Sequence, residues 1–253
     1  MNKPVELYFW PTPNGWKIAI ALEEMQLPYE LKPVAIGRGD QFKPEFLAIS
    51  PNNRMPAIVD PDGPDGRAIS IFESGAILQY LGRKTGQLYP REERGRVEVD
   101  QWLIWQVANL GPIAGQVSHF VNYAPKLIED PALIEYAKTR YVNELNRLCG
   151  VMERRLAERP FLAGDYSIAD IASWPWARAV HRLAQTFDDF PKLKDWVDRI
   201  HARPAVQRAL KAGEDLRQQE LSKGDVQAMA KHLFGQTAAS VEAAAKKAVG
   251  NGQ

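Results

Sequence analysis

A single cysteine, Cys149, in a chain of 253 residues excludes any internal disulfide and any C-x-x-C redox pair. The four histidines, His119, His181, His201 and His232, are scattered, and none falls at a metal-ligand spacing, so no metal is expected. No apolar run approaches the roughly 20 residues that a membrane-crossing helix needs. Charge of one sign is missing too: 32 Lys and Arg stand against 31 Asp and Glu, a formal net charge of +1. Such a balance sets up no global field toward nucleic acid or an anionic membrane, and neither is expected as a partner. No Walker loop, nucleophile elbow or dinucleotide fingerprint is present. Repeats at solenoid periods are absent as well. The opening six residues, "MNKPVE", lack the apolar stretch of a signal peptide, which together with the lone cysteine makes a cytoplasmic protein the expectation.

What is present is a change of pattern partway along the chain. Residues 5–10 read as a strand and 16–25 as a helix, with Ile18, Ala21, Leu22 and Met25 at helical spacing. A second strand is expected over 29–34, then a loop with Gly37, Gly39 and Asp40, then a short helix near 44–48. Residues 57–59 and 68–72 form a hairpin around the Pro- and Gly-rich loop "DPDGPDG", and Ser74 is expected to cap the helix that follows. The order βαβαββα builds one small mixed sheet with helices on its faces. From Glu92 to about Leu210 strand signals vanish and apolar residues recur at helical period. Within that stretch Ser167 and Asp170 form a capping-box pattern, with Asp in place of the usual Glu or Gln. The domains are therefore expected over 1–88 and 92–212. A polar tail follows over 213–253, whose "AASVEAAAKKAV" is either a short helix or disordered.

Three short stretches carry chemistry, and each has a structural reading beside the functional one. "TPNG", residues 12–15, sits at the first strand-to-helix turn. It is either an N-cap with proline at the first helical position, or a place where unpaired amides and the helix dipole hold an anion. Met55-Pro56 enters a strand; a cis bond there would turn the Met55 backbone outward, where a peptide-like ligand can pair with it. Glu73-Ser74 opens a helix at the end of a strand. It either caps that helix or takes the ammonium and carboxylate of an amino acid. Cys149, spaced with Leu145, Leu148 and Met152, reads as core. Gly111 and Gly115 read as a close-packing pair.

Taken in order on such a domain, these stretches resemble the soluble glutathione transferase family: a thioredoxin-like N-terminal domain followed by an all-helical C-terminal domain. The motifs that carry the resemblance are "SPNNRMPAIVD", "FESGAILQYL" and "AGDYSIADIASWPW". They are similar to that family's cis-proline segment, γ-glutamyl site and C-terminal capping box. "TPNG", where other classes carry a catalytic Tyr, Ser or Cys, resembles the nu class and its bacterial glutathione-dependent disulfide-bond reductases.

The resemblance implies that glutathione is a substrate or co-substrate, with Thr12 and Asn14 beside its sulfur. It implies that Gln41 contacts the glycyl end, that Arg54 lies beside the site, and that Met55 pairs with the cysteinyl part across a cis Pro56. Glu73 and Ser74 would hold the γ-glutamyl head, and Arg140 would reach over from the helical domain. The partners implied are glutathione or glutathione disulfide, a small electrophile or disulfide, and a second copy of the chain in a homodimer. The work implied is disulfide-bond reduction or conjugation. Organic hydroperoxide reduction and a non-catalytic regulatory binding module are the alternatives. A pocket for the second substrate is expected near His119, Phe120 and Tyr123, or near Trp174 and Trp176.

Overall fold

A computed structural model describes residues 3–220 and 233–250. The described residues form two compact units, one of those up to Ile77 together with those from Arg208 onward, the other Leu78–Gln207. The first unit opens with β1 (Val5–Phe9), α1 (Pro13–Glu24), β2 (Tyr29–Pro33) and α2 (Pro44–Leu47). It continues with β3 (Ala57–Asp60), β4 (Ile69–Phe72) and the start of α3 (Ser74–Thr85). The sheet order is β2-β1-β3-β4, with β1 parallel to β2 and antiparallel to β3, and β3 antiparallel to β4. This is the βαβαββα domain expected from the pattern.

β1 alternates as a central strand should. Val5, Leu7 and Phe9 are buried, while Glu6 and Tyr8 are half-buried. By contrast, α1 buries almost its whole circumference from Ile18 to Leu22. It begins three residues earlier than the apolar spacing suggested, because Thr12 caps it and Pro13 occupies the first helical position. One side of α1 is met by α9 (Pro204–Glu220). Gly213 lies so close to Trp16 that a Cβ there would fall 2.1 Å from the indole. Arg208 pairs with Glu23 at 2.6 Å.

The tail expected over 213–253 lies partly outside the described residues. Within them, α10 (Ala238–Gly250) is a helix packed on α2 and on the turn Asp40–Phe42. Just before it, the Gln236 side-chain oxygen accepts from Asn53 Nδ2 at 2.9 Å and Arg54 Nη1 at 3.1 Å.

The second unit is helical: α4 (Glu93–Trp105), α5 (Gly111–Ser118), α6 (Ala132–Glu158), α7 (Ile168–Ala177) and α8 (Pro191–His201). Two wide-wound π segments, Gln106–Leu110 and His119–Tyr123, flank α5. Its core gathers Leu103, Leu145, Leu148, Met152, Ile171, Trp174 and Trp196. The capping box forms as expected. Asp170 is fully buried and accepts from the Leu162 and Ser167 amides at 3.0 Å, the Ser167 hydroxyl at 3.2 Å and Trp196 Nε1 at 2.9 Å.

Candidate active site

The turn after β1 is built around Gly15. A Cβ at this position would lie 2.2 Å from the Trp10 carbonyl oxygen and 2.8 Å from Met55 Cε, so a side chain would force the helix start away from the strand. Thr12 is extended, with φ −117° and ψ 164°, and its oxygen accepts from the Gly15 amide at 3.3 Å. The capping reading of this turn is therefore correct. It does not use up the residue, because the hydroxyl hydrogen is donated to Met55 Sδ at 3.5 Å. A thioether is a weak acceptor, so a better one can take its place at modest cost. Asn14, the second residue of α1, is half-buried.

Met55 is held against the buried cluster of Val34, Phe46 and Ala57. The Met55–Pro56 peptide is cis, as the resemblance implies, and Pro56 is buried. The ladder with β1 begins only at Ala57, so the Met55 backbone sits just beyond the paired strand.

At the β4–α3 junction the structure departs from the capping expectation. Glu73, not Ser74, makes the turn. It adopts a left-handed backbone with φ 69°, and its carbonyl accepts the first helical bond, from Ile77, at 2.9 Å. A glutamate in that region costs on the order of 1–3 kcal/mol, and such outliers gather at ligand sites. The Glu73 carboxylate accepts from Asn52 Nδ2 at 3.4 Å. Ser74 is the first residue of α3, and its hydroxyl oxygen accepts from Lys17 Nζ at 3.3 Å. Lys17 is 3% exposed; burial pushes its ammonium down to about 7, against the opposing pull of Glu73. Lys17 is not among the residues that the resemblance implies. A lone cation in the apolar run "WKIAIAL" was the signal that could have found it.

Thr12, Gly15 and Met55 are thus in mutual contact at the start of α1. The same helix carries Lys17 to Ser74, which adjoins Glu73. Gln41 is 1% exposed and folded inward, its Nε2 donated to the Ile36 carbonyl at 3.1 Å. That bond uses one of the two amide hydrogens, and the buried Oε1 has no hydrogen-bond partner among the described residues. Arg140 belongs to the helical unit, where it lies exposed on α6, 3.7 Å from Glu144. Arg54 is exposed and bound to Gln236.

Of the aromatic residues proposed for a second substrate, Trp174 is excluded. It is wholly buried, with its indole N–H donated to the Val197 carbonyl at 3.0 Å. His119 and Phe120 meet edge-on at 5.0 Å on the second π segment, and Phe120 stacks on Tyr141 at 5.7 Å. Cys149 is buried, and burial pushes its thiol up to about 12, so it is no nucleophile. Among the described residues, no three His, Cys, Asp or Glu side chains gather as metal ligands, and no helix is long and apolar enough to cross a membrane.

Comparison with known proteins places this geometry in context. Residues 12–84 match the profile of the glutathione S-transferase N-terminal domain, and residues 128–204 that of the C-terminal domain. The chain is 50% identical over 208 residues to the disulfide-bond oxidoreductase YfcG of Escherichia coli K12, covering 81% of this chain and 94% of that protein. A glutathione transferase from Burkholderia graminis, solved with two glutathione molecules bound per subunit, superimposes with a TM-score of 0.77 at 46% identity, over 83% of this chain and 88% of the other. One from Pseudomonas putida, with one glutathione disulfide bound per subunit, does so with a TM-score of 0.77 at 45% identity, over 82% and 91%. Such identity along nearly the whole of a relative, with both domain profiles in order, means that the chain belongs to the glutathione S-transferase family.

Proposed function

We propose that the protein is a glutathione-dependent disulfide-bond oxidoreductase, in which the start of α1 keeps the glutathione sulfur ionised. The observation that carries this reading is the Thr12 hydroxyl, which already points its hydrogen at a sulfur atom, that of Met55. A thiolate arriving there is a far better acceptor than a thioether. The relatives support the reading through what their structures hold. Asn14 supplies a second polar group at the same helix start. Met55, beside cis Pro56, offers its backbone to the cysteinyl part, and Glu73 and Ser74 take the γ-glutamyl ammonium and carboxylate. Arg54 lies at the edge of this site.

The energetics suffice. Lowering a thiol pKa from about 8.5 by about two units requires roughly 2.7 kcal/mol. A partly buried helix N-terminus provides up to about 2 kcal/mol, and a hydrogen bond to a charged acceptor about 1.5–3 kcal/mol. The thiolate then attacks one sulfur of a substrate disulfide, forming a mixed disulfide and releasing the other sulfur as a thiolate, which takes up a proton. A second glutathione thiolate attacks the glutathione sulfur of the mixed disulfide. Two glutathiones end as glutathione disulfide and the substrate as two thiols. With Cys149 inert, no bond to the protein forms.

Steady-state turnover of hydroxyethyl disulfide, a chloronitrobenzene and cumene hydroperoxide, measured side by side, tests the assignment. The disulfide is expected to be the best substrate. Preference for the chloronitrobenzene would make the protein a conjugating enzyme, and preference for the hydroperoxide a peroxidase. Retention on glutathione resin with no turnover of any of the three would make it a binding module.

The same reading includes a cytoplasmic C2 homodimer. Val97 and Ile104, 46% and 55% exposed and seven residues apart on α4, offer an apolar stripe for a second copy. Sedimentation equilibrium is expected to return twice the chain mass of 28.4 kDa, and a monomer would remove this part of the proposal.

A further inference from the structure

Lys17 has no place in the chemistry described so far, yet its position is costly. It projects from α1 between Trp16 and Ile18, in a helix whose next residues are buried on every side, and it is 3% exposed. Taking an ammonium out of water is expensive, and an apolar side chain of similar length would lift that cost. A cation kept in such a place has a task. Its surroundings say which. Lys17 Nζ donates to the Ser74 oxygen at 3.3 Å in a buried contact, and Glu73, at the same junction, favours its charged form. A hydroxyl has one hydrogen to give. When its oxygen accepts from an ammonium, that hydrogen turns away from the lysine, and the polarised O–H becomes a stronger donor.

We infer that Lys17 is a positioning residue of the glutathione site, aiming the Ser74 hydroxyl at the γ-glutamyl carboxylate and supplying that carboxylate with a buried counter-charge. This rests on the functional reading above and adds to it a residue and a pH dependence. In the free protein, burial holds the ammonium near 7 against the pull of Glu73. An arriving carboxylate adds a second negative charge, which favours the protonated lysine. The site therefore takes up a proton as it fills, and binding weakens as pH rises above neutrality.

The test uses S-methylglutathione, whose blocked sulfur removes the thiol's own ionisation. Calorimetric titration at pH 7 in two buffers of different ionisation heat is expected to show uptake of about half a proton per ligand by the wild type. Lys17→Met removes the charge while keeping the bulk, and relief of the buried cation leaves its thermal midpoint at or above the wild-type value. In this variant the uptake is expected to vanish, and the dissociation constant to rise about 10- to 100-fold and lose its pH dependence. With glutathione as substrate the loss should fall on KM, with kcat held within about threefold. Equal affinity and equal proton exchange in wild type and variant would overturn the role of Lys17 and leave the glutathione site standing. Failure of the wild type to bind S-methylglutathione would overturn both.

Discussion

A variant carrying both Thr12→Ala and Asn14→Ala is expected to reduce hydroxyethyl disulfide about 3- to 25-fold more slowly at pH 7 than the wild type, and to recover most of that loss near pH 9. The reasoning follows the thiolate. With both polar groups gone, the helix start still favours negative charge, but the hydrogen bonds worth about 1.5–3 kcal/mol each to a charged acceptor are lost. The pKa of the bound thiol then climbs by about one to two units. Below both values, each unit costs about tenfold in the ionised fraction; above both, nothing remains to be lost. The measurement is a pH–rate profile, in which the acidic limb should move to higher pH. A uniform drop at every pH would mean that the variant damages the protein without touching the thiolate. Thr12→Ser separates the two effects, since it keeps both the cap on the Gly15 amide and the hydroxyl hydrogen. It should behave as wild type, whereas Thr12→Ala alone also forfeits about 1 kcal/mol of helix capping. Unchanged turnover in both alanine variants would remove the proposed roles.

The second large effect concerns stability. Asp170→Ala should lower the thermal midpoint by on the order of 10 °C. Its carboxylate gathers donors from three places: the turn at Leu162, the cap residue Ser167, and Trp196 on α8. Alanine strands all of them in a buried setting, and each unsatisfied donor costs about 1–3 kcal/mol. Asp170→Asn keeps one acceptor oxygen but turns an amide NH₂ toward donors, so it should lie between. Burial raises the Asp170 carboxyl to about 6, although its four donors pull the other way. The folded-state pKa therefore exceeds the unfolded value of about 3.9. The stability this group lends is whole below the unfolded value and is lost as pH rises through about 6. Midpoints recorded from pH 4 to 8 should show the wild type losing part of its advantage over Asp170→Asn across that window. Parallel curves would show that Asp170 does not titrate there.

Where the sequence could be read, local chemistry decided the outcome. Thr12 before Pro13 carries the cap-then-proline pattern of a helix start, and Ser167 with Asp170 is a capping box because both partners lie within one turn. The β1 alternation was visible because one face of that strand is less buried than the other. The misreadings come from longer-range causes. The start of α1 was set three residues late because Asn14-Gly15 looked like a turn, whereas Gly15 is there for the approach of Trp10 and Met55. Nothing in "FESG" announces that Glu73 adopts a left-handed backbone, so its sequence suggests Ser74 as the cap. The bond from Gln41 to the Ile36 carbonyl is a matter of packing that no local pattern announces. The contact of Arg54 with Gln236 joins residues 182 apart, and no pattern in either segment encodes it. Lys17 is hidden by the expectation that one face of a helix is wet, which α1, buried from Lys17 to Leu22, does not obey.

The buried state of Cys149 has a practical side. Thiol-reactive dyes and alkylating agents added to the native protein meet no competing sulfhydryl from the polypeptide. Whatever colour or mass they gain reports only on small molecules, against a silent background, and no cysteine-free version needs to be engineered before such titrations begin.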